Sequence, residues 1–133
     1  MDFTKFIELK NYGGAYRRRG AAKENLRDYM GALSDYSKAV ELNPIRSDSY
    51  RKRGKLKGIL KDYKGAISDF SKAIKCHFMP RTYTYIARIY YDRGVMKLKL
   101  GNNDEACIDF YKADELGNNS YHEAAEAIKE KCD

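Results

Sequence analysis

Residues 16–39 read YRRRGAAKENLRDYMGALSDYSKA, and residues 50–73 read YRKRGKLKGILKDYKGAISDFSKA. The two segments lie 34 positions apart and share fifteen identical residues. A looser third copy starts at Tyr90, 40 positions after the second, because six residues are inserted before it. A period of this length indicates a repeat architecture, in which each unit buries its apolar face against its neighbours.

Each copy has the pattern of two helices. Apolar and small residues recur at steps of three and four, which is the spacing of a helical face. The pattern is interrupted once per unit, at Asp28, Asp62 and Asn102, whose side chains can cap a following helix. Pro44 ends the first pair, because the residue before a proline is disfavoured in helical geometry. We therefore predict helical hairpins at about residues 14–42, 47–77 and 81–116.

Aromatic and small residues at fixed offsets give the repeat its character. In the first unit they are Tyr16, Gly20, Tyr29, Ala32, Tyr36, Ala39 and Pro44. This motif resembles the tetratricopeptide repeat over roughly residues 13–132. The resemblance implies an all-α fold, a right-handed α-solenoid of three antiparallel helix hairpins with a capping helix.

The predicted domain organisation follows from these units. Residues 1–12 form an N-terminal segment that either packs on the first hairpin or stays frayed, and Gly13 and Gly14 separate it from the repeats. Ser120 and Glu123 form a capping box at the start of a last helix. The repeats are expected at about 13–46, 47–80 and 81–119, and the capping helix at 120–132.

The inserted residues lie around positions 77–83, next to Pro80. Residues 81–86 either extend the first helix of the third unit by one or two turns or form a longer loop. As a helix, this extension would project Tyr83 and Tyr85 beyond the regular stack.

The three cysteines, Cys76, Cys107 and Cys132, are odd in number and lack CxxC spacing. We therefore expect buried or half-buried thiols, with neither a disulfide framework nor a metal site. Residues 1–12 lack the apolar centre of a secretory signal, and no stretch approaches the ~18 apolar residues of a membrane span. The expected location is cytoplasmic, without a membrane partner.

Catalytic motifs are absent from the sequence. The two histidines, His77 and His122, suggest no nucleophile arrangement, and there is no glycine-rich phosphate-binding motif. We predict that the protein is not an enzyme and needs no cofactor.

Charge is unevenly distributed along the chain. Residues 1–100 hold 23 Lys and Arg against 10 Asp and Glu, whereas residues 101–133 hold 3 against 9, giving a net charge of +7. In the resembled family, the first helix of each hairpin lines a concave groove. On that basis we predict a basic peptide-binding groove formed by Arg17, Arg18, Arg51, Lys52, Lys55, Arg88, Tyr91 and Lys99.

One subclass of the family grips a C-terminal carboxylate with Lys, Asn, Asn, Lys and Arg. The matching positions here are Arg17, Ala21, Lys52, Arg88 and Asp92. Both asparagines are replaced, and the last basic residue is an acid. The sequence therefore departs from that clamp, while an acidic peptide segment still suits the arginines.

The function predicted from the sequence is a protein-interaction scaffold that binds an acidic peptide. Two alternatives use the same charge distribution. One is single-stranded nucleic-acid binding through the basic surface. The other is self-association, in which the acidic C-terminal helix of one copy meets the basic groove of another.

Overall fold

A computed structural model describes residues 3–76 and 82–117, together with residues 126 and 132. This part of the chain is all-α and forms a helical-repeat solenoid. The helices are α1 (Phe3–Asn25), α2 (Tyr29–Leu42), α3 (Ser47–Ile59), α4 (Tyr63–Lys75), α5 (Tyr83–Lys99) and α6 (Asn103–Leu116). Consecutive helices pair as hairpins, and the units stack because α2 packs on α3 and α4 packs on α5.

The turns inside the first two hairpins have the predicted side-chain caps, whereas the third does not. The Asp28 side chain accepts a hydrogen bond from the backbone N–H of Gly31 at 3.1 Å, and Asp62 accepts one from Gly65 at 3.0 Å. Asn102 occupies the cap position of α6, but its side chain makes no capping hydrogen bond. The caps predicted at Asp28 and Asp62 are therefore confirmed. Each side-chain acceptor satisfies a backbone N–H in the first turn that has no partner within the helix.

Close approach of the paired helices explains the repeated glycines and alanines. Ala32, Ala66 and Ala106 are fully buried. A Cβ added at Gly54 would lie 3.0 Å from Cε1 of Phe70. The interior of each hairpin therefore consists of an aromatic ring packed directly on the backbone of the first helix, which leaves no room for a side chain.

An ion triad around a buried aspartate also recurs in each hairpin. In the second unit, Arg53 donates from Nε and Nη2 to the two carboxylate oxygens of Asp69 at 2.9 and 2.8 Å, and Lys57 Nζ lies 3.1 Å from Oδ2. The Asp69 side chain is 1% exposed. The other two ion triads are Arg19, Lys23 and Asp35, and Arg93, Lys97 and Asp109.

The arginines of the ion triads also connect successive units. Arg53 Nη1 donates to Oγ of Ser37 at 3.5 Å, and Arg93 Nη1 donates to Oγ of Ser71 at 3.1 Å. Each of these two guanidinium groups thus joins the two helices of its own hairpin and reaches the second helix of the preceding one. Planar Arg offers donors in a fixed fork, which Lys does not.

The structure corrects the boundary predicted at the N-terminus. Helix α1 runs without a break through Gly13 and Gly14, so these glycines do not separate residues 3–12 from the first hairpin. Gly13 is buried where α1 passes the end of α2, and a Cβ there would lie 3.4 Å from Cβ of Asn43. A Cβ would thus be in ordinary contact at this position, and the helix continues through Gly13 although glycine has a low intrinsic helix propensity.

The inserted residues lengthen the first helix of the third unit. Helix α5 begins at Tyr83, one turn before the position that corresponds to the start of α3. Tyr83 is 70% exposed. Tyr85, however, does not project outward, because its hydroxyl reaches Ser47 and Asp48 at the start of α3.

The cysteines also differ from the expectation. Cys107 and Cys132 form a disulfide, so the prediction of thiols is wrong for this pair, and Cys76 is free and half-buried. The bond joins α6 to a helical residue near the C-terminus. Other residues of the predicted capping helix, among them Ser120, His122 and Glu123, lie outside the described residues, as does His77.

None of the helices in the described ranges has the length and apolarity that crossing a membrane requires.

Replacing Ala66 by Leu tests the close helix contact. Ala66 is fully buried beside Phe70, so the larger side chain should overpack the hairpin and lower the free energy of unfolding by about 1 to 3 kcal/mol. Ser68→Leu places the same side chain at an exposed position of α4 and serves as the control. Urea unfolding followed by circular dichroism measures both, and equal losses would contradict the packing argument.

Two ion triads that differ in burial test how much burial contributes to their effect on stability. Asp69→Asn leaves Arg53 and Lys57, which are 14% and 22% exposed, without their carboxylate and should cost about 3 kcal/mol of stability. Asp35→Asn is the matched change in the first unit, where Arg19 is 59% exposed and water can replace the carboxylate. We expect the smaller loss there. Equal midpoints of urea unfolding for the two variants would show that burial is not what makes the triad important.

The disulfide predicts a simple alkylation pattern. Without reductant, iodoacetamide should modify Cys76 alone, because Cys107 and Cys132 are bonded to each other. After reduction in denaturant, all three cysteines should react. Peptide mass spectrometry distinguishes the two states, and alkylation of Cys107 in the unreduced, natively folded protein would be the contrary result.

Candidate peptide-binding groove

The first helices of the three hairpins place five basic side chains on one surface. Arg17 lies on α1, Arg51, Lys52 and Lys55 lie on α3, and Arg88 lies on α5. Positions three and four apart share a helical face, so Arg51 and Lys55 point the same way. Arg17 interacts electrostatically with Lys52. The carboxylate of Asp92 on α5 interacts with the charges of Arg51, Lys55 and Arg88. These five residues are called the groove cluster below.

Burial affects two members of the groove cluster. Desolvation is the main cause that lowers the pKa of Arg17, and repulsion from Arg46 adds to it, while Asp48 opposes it. Desolvation likewise lowers the pKa of Lys52, with repulsion from Arg51 as the next cause. Both side chains are therefore cations that have lost part of their hydration, and an incoming anion would restore favourable interactions.

Tyr85 organises the centre of the surface from the extra turn of α5. Its hydroxyl donates to Oδ1 of Asp48 at 2.9 Å and lies 3.1 Å from Oγ of Ser47, which itself donates to the carbonyl of Ala73 at 2.8 Å. The guanidinium of Arg51 lies over the Tyr85 ring, with Cζ 5.4 Å from the centroid. Such a cation–π contact restrains the arginine while leaving its edge available to a ligand.

Carboxylates are interleaved with the cations, so the surface is less uniformly basic than the sequence predicted. Arg46 Nη2 lies 3.6 Å from Oδ2 of Asp48. Glu24 accepts a hydrogen bond from the Tyr36 hydroxyl at 3.3 Å, and the pKa of Tyr36 is raised mainly by burial and next by Glu24. The third carboxylate is Asp92. Basic side chains still outnumber these three acids.

Asp92 lies among three members of the groove cluster. Arg51, Lys55 and Arg88 all favour its charged form, yet desolvation is the larger effect and raises the pKa of Asp92 above the usual range. Its Oδ2 is buried and accepts no hydrogen bond from the described residues. The Nε of Arg51 is likewise buried without an acceptor there. A donor and an acceptor are thus left unsatisfied in the same part of the surface.

The remaining predicted groove residues have other neighbours. Arg18 lies beside Arg17, since both guanidinium groups approach Gly14. Tyr91 packs its ring against Phe110, with centroids 5.5 Å apart, and Lys99 Nζ lies 5.6 Å from the ring centroid of Tyr63 at the start of α4. Packing between helices therefore contributes to the positions of Tyr91 and Lys99.

Sequence reasoning did not identify Asp48 and Arg46 as members of this surface. Both lie at the start of α3, and their relevance comes from contacts with α1 and α5. The only sequence signal was the insertion before the third unit, because it lengthens α5 by the turn that contains Tyr85, and Tyr85 binds Asp48.

Comparisons with known proteins agree with the geometry. A family model described as a tetratricopeptide repeat matches residues 87–120. The first such domain of Spaghetti (RPAP3), bound to the HSP90 peptide SRMEEVD, has a TM-score of 0.79 at 22% identity and covers 92% of this chain and 91% of that one. The Arabidopsis OM64 domain gives 0.80 at 22% identity, covering 92% and 98%.

A third structure is more distant in sequence. The Yersinia enterocolitica type III secretion chaperone SycD, in complex with a peptide of the translocator YopD, has a TM-score of 0.73 at 16% identity, covering 90% of this chain and 88% of that one. Structural similarity at 16 to 22% sequence identity shows that these proteins share a fold. The family model shows in addition that residues 87–120 have the sequence of a tetratricopeptide repeat. The chain therefore contains a tetratricopeptide repeat at residues 87–120, and its three stacked hairpins share the fold of tetratricopeptide-repeat domains.

Proposed function

We propose that this protein is a non-enzymatic interaction scaffold whose groove cluster binds an acidic peptide segment. The groove cluster comes from three successive units, so an extended segment can contact all of them at once. Arginine suits this task because its guanidinium binds carboxylates through two parallel hydrogen bonds.

One observation carries the proposal. The basic residues of the ion triads are already paired with buried aspartates, whereas none of the groove cluster forms an ion pair within 4.0 Å among the described residues. Arg17 and Lys52 have in addition lost hydration. Cations that are partly desolvated and unpaired gain most from a ligand carboxylate.

Two structurally similar proteins support the class of ligand. The Spaghetti domain binds SRMEEVD, a peptide with three acidic residues and one basic residue, and SycD binds a peptide of its translocator. The common feature is a peptide held by a fold of this kind, and the charge of the groove cluster favours acidic sequences here.

Reversing two charges in the groove tests the proposal. Arg51→Glu with Arg88→Glu should weaken binding of a fluorescein-labelled heptapeptide of aspartates by tenfold or more, because two attractive contacts become repulsive. Fluorescence anisotropy at near-physiological salt measures the affinity. Circular dichroism should show an unchanged helical spectrum, since both side chains lie outside the ion triads.

Lys64→Glu with Lys72→Glu is the matched control, because it makes the same change in net charge at exposed positions of α4. Retained binding by the groove variant would exclude the groove as the site. Equal loss in both variants would indicate non-specific attraction. Tighter binding of single-stranded RNA than of the peptide would favour the nucleic-acid alternative.

A further inference from the structure

The first helix of the second unit has one face that packs on the unit before it. Leu56 of α3 is fully buried in a cluster with Ala32 and Tyr36 of α2. One turn away on the same face, Arg53 donates from Nη1 to Oγ of Ser37. An apolar contact and one arginine donor thus hold the second helix of one unit on the first helix of the next.

Helix α5 uses the same face. Ile89 is fully buried in a cluster with Ala66 and Phe70 of α4. Arg93 donates from Nη1 to Oγ of Ser71 at 3.1 Å. The structure therefore shows twice what kind of helix this face binds.

The corresponding face of α1 is exposed. Helix α1 is the first of the stack, and α2 is the only helix of the described ranges that packs extensively on it. Positions three and four apart share a helical face, and here all five such positions are exposed. They are Tyr12, Ala15, Arg19, Ala22 and Leu26, and they are called the outer face of α1 below.

Arg19 occupies the position of Arg53 in the first unit. Its Nε and Nη2 donate to Asp35 at 2.8 and 2.7 Å, but its Nη1 has no acceptor among the described residues. Its side chain is 59% exposed, whereas those of Arg53 and Arg93 are 14% and 18% exposed. The donor that joins successive units elsewhere in the stack is therefore open to a partner here.

The charge at this point favours an acid. Arg19 and Lys23 share the single carboxylate of Asp35, so their ion triad keeps a net positive charge. A carboxylate on a partner would accept from Nη1 and also neutralise this charge, which a serine hydroxyl cannot do.

The shape of the outer face of α1 favours large aliphatic side chains. Ala22 holds the position that Leu56 fills in α3, so the partner must supply the apolar volume. Tyr12 and Leu26 are 60% and 81% exposed at the two ends of the face. At 1.5 Å per residue, a partner helix would contact apolar groups over about 21 Å.

A second copy of this chain does not offer the required helix. Leu33 of α2 packs against the cluster that contains Leu56, and Cys107 holds the same position on α6. Cys107 is buried and bonded to Cys132, so this face of α6 is already occupied. Pairing of two α1 helices about a twofold axis would bring two Arg19 side chains together at the centre of the face.

We propose that the outer face of α1 is a second docking surface, which binds an amphipathic helix of a partner protein that carries one acidic residue in the middle of its apolar stripe. The partner helix lies on α1 as α2 lies on α3, and its carboxylate accepts from Nη1 of Arg19. Arg17 points to the opposite side of α1, because two residues correspond to about 200° of helical turn. The surface is therefore separate from the groove cluster and does not depend on the proposed function.

A designed helix tests the docking surface. The probe is an amidated peptide of about 18 residues with N-terminal fluorescein, leucines at heptad spacing and one central glutamate in place of a leucine. A second peptide has glutamine instead of this glutamate. Fluorescence anisotropy gives the affinity of both peptides for the wild type, Arg19→Gln and Ala22→Glu. Ser68→Glu is the matched control, because it adds the same charge at an exposed position of α4.

The wild type should bind the glutamate peptide about tenfold more tightly than the glutamine peptide, because only the carboxylate forms a charge-assisted bond with Arg19. Arg19→Gln should bind the two peptides equally. Ala22→Glu should weaken binding of the glutamate peptide by about tenfold, because it places an acid in the apolar contact, whereas Ser68→Glu should bind like the wild type. Circular dichroism verifies the fold of each variant.

Several results would overturn the docking surface. They are no binding of either peptide, the same preference for glutamate in the wild type and Arg19→Gln, and equal affinities of Ala22→Glu and Ser68→Glu, which decide the matter if Arg19→Gln does not fold. Loss of the helical peptide in Arg51→Glu with Arg88→Glu would place it in the groove instead. Sedimentation of a dimer that Ala22→Glu dissociates would identify a second copy as the occupant.

The groove function is tested separately by the aspartate heptapeptide. Ala22→Glu should bind that peptide as the wild type does, because Ala22 lies outside the groove cluster. Either surface can therefore fail while the other stands.

Discussion

The buried aspartates of the ion triads hold this solenoid together. Each would be costly to bury alone, because a desolvated carboxylate needs compensating donors. Arg53 supplies two hydrogen bonds to Asp69, Lys57 adds a second positive charge, and the third donor group of Arg53 reaches Ser37 in the preceding unit. Hairpin geometry and stacking are thereby coupled through one side chain, and the aromatic ring packed on the glycine leaves the two helices little freedom to slide.

This arrangement separates the basic residues into two groups with different consequences. In each ion triad, one arginine and one lysine share a single buried aspartate, so both cations already have an internal partner. The groove cluster lies on another face of the same helices and forms no such ion pair with the described residues. The count of basic residues therefore overstates the positive charge that a ligand meets, because six of these side chains already face three buried carboxylates. Five of the other basic side chains form the groove cluster on the first helices of the three hairpins.

The third unit departs from the repeat in a way that affects the groove. Its additional helical turn carries Tyr85 back to α3, where the tyrosine restrains Arg51 and binds Asp48. Asp92 lies two turns further along the same helix. One helix thus supplies an aromatic support, an acid and Arg88 to a surface that the first two units line mainly with cations. A perfectly regular repeat would give a uniform groove, and the insertion makes this one asymmetric.

The helices and the caps at Asp28 and Asp62 could be predicted from the residue pattern, because these features depend on side chains at most a few positions apart or on a period that repeats them. The recurrence of Arg19, Lys23 and Asp35 was visible in the sequence, but their pairing was not. Pairing across helices depends on the direction in which side chains point, as do the disulfide between Cys107 and Cys132 and the inward position of Tyr85. The continuity of α1 through Gly13 likewise follows from packing on α2, which outweighs local helix propensity. Local periodicity thus specified the elements, while contacts between residues distant in the chain established which charges remain free to bind.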